Sequence, residues 1–313
     1  MKTIFSRLFK IISFTLVMVM LVPTQLIGQD KPEVKPNEEA TPAPKKDNKP
    51  VKSFDAGMLI ETQTNLVLRI KTLEFVIQHR FGNLNSEGFD MLGLYAPSNI
   101  RLGLNYGLFK NAQIGIASTK NGQLQEFNYK YSLLRQTKSN SMPIGAAYYG
   151  NIQYDSRADN TLFGYEYKAL HRISFFNQLI IARKISPKLT LQVSLMHAHF
   201  NQIDTNITPE LTHDNYAYGV AGRYKFSPQG SVIFEYDYSF TTPKYKDREL
   251  HKNVEVAPNI SFGVEFATGG HAFQIFISTY NAISPQKNLM YSTNDFTKQD
   301  LLIGFNISRK WGF

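Results

Sequence analysis

A chain of 313 residues has the length for one large domain or two small ones, and its 23 Phe and 17 Tyr favour β structure over helix bundles. It contains no cysteine, which excludes a disulfide framework, a thiol nucleophile, a thiolate metal site and a lipid-bearing cysteine behind the leader. The formal charge of +9 is scattered singly rather than gathered into a basic face, so nucleic acid is not an expected partner.

Residues 1–28 read as a secretory signal peptide. Lys2, Arg7 and Lys10 precede the apolar run Ile11–Val22, which is too short for a spanning helix, and Gly28 supplies a small residue near the cleavage point, although Leu26 departs from the small-residue preference there. Loss of this leader lowers the formal charge from +9 by three, to +6. Residues 29–53 then interleave five prolines with six lysines and five acids and carry no aromatic. Such a stretch buries too little apolar area to offset the entropy of ordering, so it reads as a disordered, extended spacer on the periplasmic side. The remaining residues, 54–313, form the folded domain. Within it, 54–70 show no clear period and suit a short segment that enters a lumen.

From residue 72 onward the pattern is apolar/polar alternation with period 2, and no later run is apolar enough for a membrane helix. Twelve strands are expected, with ten or fourteen as the alternatives, near 72–82, 99–109, 112–119, 124–136, 142–155, 171–185, 189–201, 215–226, 230–242, 254–267, 271–281 and 298–313. In the first, Leu73, Phe75, Ile77 and Phe81 oppose Glu74, Gln78 and Arg80. In the last, Phe305, Ile307, Trp311 and Phe313 oppose Gly304, Asn306, Ser308 and Lys310. Short turns at 110–111, 137–140, 186–188, 227–230 and 268–270 alternate with longer polar loops near 83–98, 156–170, 202–214, 243–253 and 282–297; a tight turn at 120–123 is the exception. Sorting of connections by length is the mark of an antiparallel transmembrane β-barrel of the outer membrane, with short turns in the periplasm.

The terminal Ser308-Arg309-Lys310-Trp311-Gly312-Phe313 resembles the C-terminal assembly signal of outer-membrane proteins, which implies the barrel-assembly machinery as a partner and Phe305, Ile307, Trp311 and Phe313 as the signal residues. The runs Leu73–Gly82, Asn99–Leu108 and Leu179–Ile185 resemble the DUF5777 family of uncharacterised Bacteroidota β-barrels, from about residue 57 to the end. That resemblance implies a barrel embedded in outer-membrane lipid and no particular activity.

Candidate chemistry is sparse. A barrel phospholipase needs a His and a Ser two residues apart on a lipid-facing strand, with an Asn on the neighbouring strand. His197-Ala198-His199-Phe200-Asn201 carries a second His where the Ser should stand, and Ser194 has the opposite parity, so no enzyme is expected. His171, His197 and His199 lie towards the same barrel end, as a borderline metal ion requires, but no carboxylate stands out to orient the rings. They read as polar residues at the membrane interface, and neither a metal nor a cofactor is assigned.

The inward charges are the remaining functional candidates: Glu74, Glu126, Glu235, Asp237 and Glu265 against Arg80, Arg101, Lys130, Arg223 and Lys225, with Lys310 beside them. Two readings stay open. Either these groups line a narrow channel for small polar solutes, or they pair across a filled lumen in a structural or interaction barrel that transports nothing. Glu235 and Asp237 are expected to pair with Arg223 and Lys225 on the preceding strand. No oligomeric state follows from the sequence.

Overall fold

The computed structural model describes residues 47–84, 93, 95–157, 168–203, 212–241, 245–246, 253–254 and 256–313. The expected leader, most of the expected spacer and parts of the long loops lie outside these residues. Twelve antiparallel strands close into one barrel. They are β1 (Thr72–Asn83), β2 (Asn99–Phe109), β3 (Ala112–Thr119), β4 (Leu124–Leu134), β5 (Gly145–Asp155) and β6 (Ile173–Lys184). The second half holds β7 (Leu189–Phe200), β8 (Asp214–Lys225), β9 (Gly230–Ser239), β10 (Asn259–Ala267), β11 (His271–Ser278) and β12 (Leu302–Gly312).

Each strand pairs with its successor, and β12 pairs with β1 from Gly312↔Thr72 to Leu302↔Asn83, with one register shift between Leu302 and Gly304. Past the ladder, the Phe313 backbone N–H donates to Lys71 O at 2.9 Å. Closure removes the unpaired edge that hydrocarbon cannot satisfy.

The alternation sets the two faces. Leu102, Leu104, Ile116, Phe127, Phe262 and Ile275 are exposed on the outer wall, while Glu74, Arg80, Glu126, Lys130, Arg223 and Glu265 are buried inside. In water this distribution would be inverted; with lipid as the outer solvent it is the stable arrangement. Aromatics gather at both rims of the outer wall. Phe226 and Phe266 stack edge-on at the short-turn end, and Tyr216 stacks on Phe240 at the long-loop end.

Connection lengths sort as expected, with two departures. The 135–144 connection is longer than the turn read from sequence because another piece of chain lies along it: Val51 N–H donates to Gln136 O at 2.8 Å and Lys138 N–H to Lys49 O at 3.0 Å. Residues 47–53, expected as the end of the spacer, are therefore docked at the short-turn rim. The loop between β11 and β12 contains helix α1 (Pro285–Tyr291), started by Ser284, whose Oγ accepts from Lys287 N–H, with Pro285 in the first turn. The tight turn at 120–123 rests on left-handed Gly122 and Gln123 (φ 78° and 45°).

The closure geometry generates a prediction. Replacing Phe313 with Asp or deleting it should lower the folded fraction in outer-membrane extracts far more than replacing Phe240, since both remove an outer-wall ring but only Phe313 sits where the last strand meets the first. Heat-modifiable gel mobility reads the folded fraction. Equal fractions for the two variants would make the terminus an ordinary strand end.

Candidate functional site

The lumen is occupied. From the short-turn rim the chain runs inward from residue 53, folds into a two-rung ladder that pairs Met58 with Gln63 and Leu59 with Thr62, and returns through 64–71 to β1. Phe54, Leu59 and Ile60 are fully buried and pack on Ala182, Ala221, Ile233 and Phe276 of the wall. At the tip Ile60 sits in the left-handed region (φ 49°), a conformation that costs a β-branched residue about 1–2 kcal/mol. The wall holds it there. Ile60 N–H donates to Gln274 Oε1 at 3.2 Å, and Ile60 O accepts from Asn306 Nδ2 at 2.7 Å and Arg80 Nη2 at 3.3 Å.

Most of the inward charges act on this segment. Arg223 donates to the Asp55 carboxylate at 2.5 Å and to Ser53 O at 2.8 Å, and Lys225 reaches the same carboxylate at 2.8 Å. Lys310 Nζ donates to Asp55 O at 3.0 Å, and Lys130 Nζ to Gly57 O at 2.8 Å and Leu66 O at 3.3 Å. Arg80 Nε donates to Glu61 Oε1 at 2.6 Å. Glu235 Oε2 accepts from the N–H groups of Glu61 (2.9 Å) and Thr62 (3.1 Å), gripping the tip from the other side. Neutral wall groups add to this: Gln113 accepts from Leu68 N–H, and Gln192 donates to Gln63 O.

Three pairs join wall to wall. Arg101 forks onto Glu126, and Lys310 lies 3.6 Å from Glu74. Glu265 takes Gln274 at 2.8 Å and Arg223 at 3.5 Å. The expected pairing of Glu235 and Asp237 with Arg223 and Lys225 does not occur. The hairpin register sets Asp237 opposite Gly219 and Glu235 opposite Ala221, whereas Arg223 faces Ile233 near the short turn. Neither acid has a basic partner among the described residues.

From the long-loop end α1 closes the other mouth. Gln286 Nε2 donates to Asn151 Oδ1 at 2.6 Å, Ser284 Oγ to Gln153 Oε1 at 2.6 Å and Asn215 Nδ2 to Leu289 O at 2.7 Å. Leu289 packs with Tyr149, Phe176, Met196 and Tyr280. Sequence reasoning read this stretch only as a loop; the Ser284-Pro285 start and the Leu289-Met290 pair were the signals available. Between the hairpin tip and α1 a chamber remains, lined among others by Glu61, Gln178, Glu235, Asp237 and Asn288.

The histidines lie on the outer wall. His197 Nε2 and His199 Nδ1 both contact Asp214 Oδ1, at 2.7 and 2.8 Å, so a carboxylate does orient these rings, contrary to the sequence expectation. Asp214 opens β8 directly opposite His199. His171 stands apart in a 3₁₀ turn, its Nδ1 accepting from Lys168 N–H at 3.3 Å. Among the described residues no three His, Asp or Glu side chains form a metal-holding group. Ser194 faces the lumen and accepts from Gln178 at 2.9 Å.

The family model described as a membrane-bound beta barrel domain, DUF5777, matches residues 54–311. No curated protein matches the sequence. Similar solved structures include the NanC porin, at 7% identity and a TM-score of 0.48, covering 77% of this chain and 100% of that one. The COG4313 outer membrane channel from Pseudomonas putida F1 is 10% identical, with a TM-score of 0.46 over 78% of this chain and 97% of its own. Outer membrane phospholipase A from Escherichia coli is 13% identical, with a TM-score of 0.40 over 82% and 97%.

The Asp55 latch generates a prediction. Burial alone would raise its carboxyl, but the hydrogen bond from Lys225 and the charges of Arg223 and Lys52 outweigh burial and hold it well below the ordinary carboxylate range. A depressed carboxyl contributes stability above its unfolded value, near pH 3.9, and loses it only as pH falls through the folded value. Cleavage after Lys52 and Lys71 by a trypsin-like protease, taken relative to its rate on a small peptide at the same pH, should therefore be insensitive to pH above about 5. Asp55→Ala leaves the buried Arg223 with Glu265, 3.5 Å away, as its remaining carboxylate, at a cost on the order of 2 kcal/mol, less than for a fully enclosed pair that loses its partner. Cleavage in folded barrel should then accelerate about 30-fold. An unchanged rate would show that Asp55 does not hold the segment.

Proposed function

The chain belongs to the DUF5777 family of membrane-bound β-barrels, an outer-membrane architecture, and from that premise we propose that it is a narrow channel for small polar solutes whose closed state is the one described here. The short turns and the N-terminal run face the periplasm, and no catalytic role is assigned.

One observation carries this reading: the lumen is closed by two tethered segments, not by the strands' own side chains. A barrel built only as a scaffold can fill its interior with interdigitating apolar residues from the wall. Here the wall presents polar and charged groups that bind the hairpin's backbone. With the hairpin and α1 displaced, the same groups would face water without loss, as a solute pathway requires. The second reading, a filled barrel that transports nothing, draws support from the buried apolar contacts of Phe54, Leu59 and Ile60.

Planar-bilayer recordings separate the two. The full chain should give little current, and a variant with residues 54–63 replaced by a Gly/Ser run should give discrete steps. Heat-modifiable mobility establishes that the variant is folded. A folded variant without steps would overturn the channel and leave the filled barrel standing.

A further inference from the structure

We propose that the chamber between the hairpin tip and α1 is a binding site for a small monovalent cation, an alkali-metal or ammonium ion, held on the Asp237 carboxylate. The inference names the solute class of the channel proposed above and rests on that reading for its role in permeation, though not for binding itself.

The chamber holds more acids than bases. Glu61 is matched by Arg80 and Glu126 by Arg101, whereas Glu235 and Asp237 have no basic partner among the described residues. Glu235 is committed to the hairpin's two N–H groups. Asp237 is held by Asn259, whose Nδ2 donates to its Oδ2 at 3.2 Å, and by a side-chain hydrogen bond with Glu235, which leaves the pair one negative charge when it shares a proton; its Oδ1 accepts from no donor although the residue is 3% exposed. An ionised carboxylate withdrawn from water needs either a cation or a proton.

Further acceptors converge on the same space. Gln178 Oε1 and Asn288 Oδ1 line the chamber and are also without partners. The Asn288 orientation follows from its Nδ2, which donates to the Ala282 carbonyl at 2.6 Å, so its oxygen is the atom left over. Gln178 Nε2 is taken by Thr62 and Ser194, which leaves its oxygen in turn. Three acceptor oxygens without partners, against one unpartnered amide donor, Asn151 Nδ2, around an acid pair suit a hard cation or an ammonium group better than an anion. The chamber has room for only a few water-sized occupants, which favours a small ion over an organic amine.

Gly219 shapes the site. A Cβ built there would lie 2.3 Å from Asp237 Oδ1, so only glycine leaves the carboxylate its place opposite β8.

The test is the thermal unfolding midpoint of the full chain in detergent at neutral pH, in potassium, sodium or ammonium chloride against N-methylglucamine chloride of equal ionic strength. N-methylglucamine is too large for the chamber. The small cations should raise the midpoint by about 3 °C or more. Asp237→Asn and Gly219→Ala should abolish the difference, and Glu265→Gln, outside the chamber, should retain it. Equal midpoints in all salts for the native chain, or a difference that survives Asp237→Asn, overturns the proposal; the latter result would mean the salts act elsewhere. Reversal potentials in the Gly/Ser variant then separate this from the channel reading. Absent current with a persisting midpoint shift sinks the channel and keeps the site. Current without a midpoint shift, and with the same reversal potential after Asp237→Asn, sinks the site and keeps the channel.

Discussion

Hydrocarbon offers no hydrogen-bond partner, so every backbone polar group at membrane depth must be satisfied within the protein. The twelve-strand ladder meets this demand for the wall. The segment inside the barrel does not meet it alone, because its only regular structure is a ladder of two residue pairs. The wall's inward side chains supply what is missing. Glu235 accepts the N–H groups of the tip, Lys130 and Gln274 donate to carbonyls of Gly57 and Met58, and Gln113 and Gln192 serve the returning strand of chain. The polarity of the inner face, its mixed signs and its buried arginines thus have one cause. They template an irregular backbone.

The two closing elements are held by different forces. The hairpin is anchored by charge, through Asp55 on Arg223 and Lys225 and through Glu61 on Arg80. Removing one member of such a pair strands the other in a dry site, so the seat is stiff. α1 is anchored by neutral amides and hydroxyls, Gln286 on Asn151 and Ser284 on Gln153, each contributing about 1 kcal/mol. It also inserts Leu289 and Met290 from about two turns of helix. The hairpin is therefore the more firmly seated of the two.

Strand count, faces and loop sorting were legible because period 2 in a lipid-facing wall is a property of each strand alone. The strand ranges for Thr72–Asn83, Asn99–Phe109 and Ala112–Thr119 follow from alternation with no knowledge of neighbours. Residues 54–70 gave only a suggestion of lumen entry, because their partners are six or more strands' inner faces and no local period encodes that. Asp55 and Glu61 were not singled out for the same reason. The charge pairing was misjudged through register. Arg223 and Glu235 are close in sequence, but an antiparallel hairpin pairs residues equidistant from its turn, which sends Arg223 to the short-turn end and Glu235 towards the middle. Asp214 was read as loop, and so its grip on His197 and His199 could not be foreseen.

Two polar clusters remain to be weighed against each other, and saturation separates them. On the outer wall, Asp214 Oδ1 takes both imidazoles, and His197 stacks on Tyr216 with ring centroids 4.8 Å apart. Rings and carboxylate satisfy one another near the long-loop rim, where amphipathic groups are favoured, and nothing in that arrangement calls for a further ligand. In the chamber, Asp237, Gln178 and Asn288 from β9, β6 and α1 line one space, and each keeps an acceptor oxygen that no donor serves. A buried acceptor left unmade costs about 1–3 kcal/mol, and a charged one more, so a site that keeps several of them has a free-energy deficit that an occupant can remove. The outer cluster is a finished structure. The inner one is complete only with a cation or water in it, and for that reason the proposed cation site is placed on Asp237 and not on the histidines.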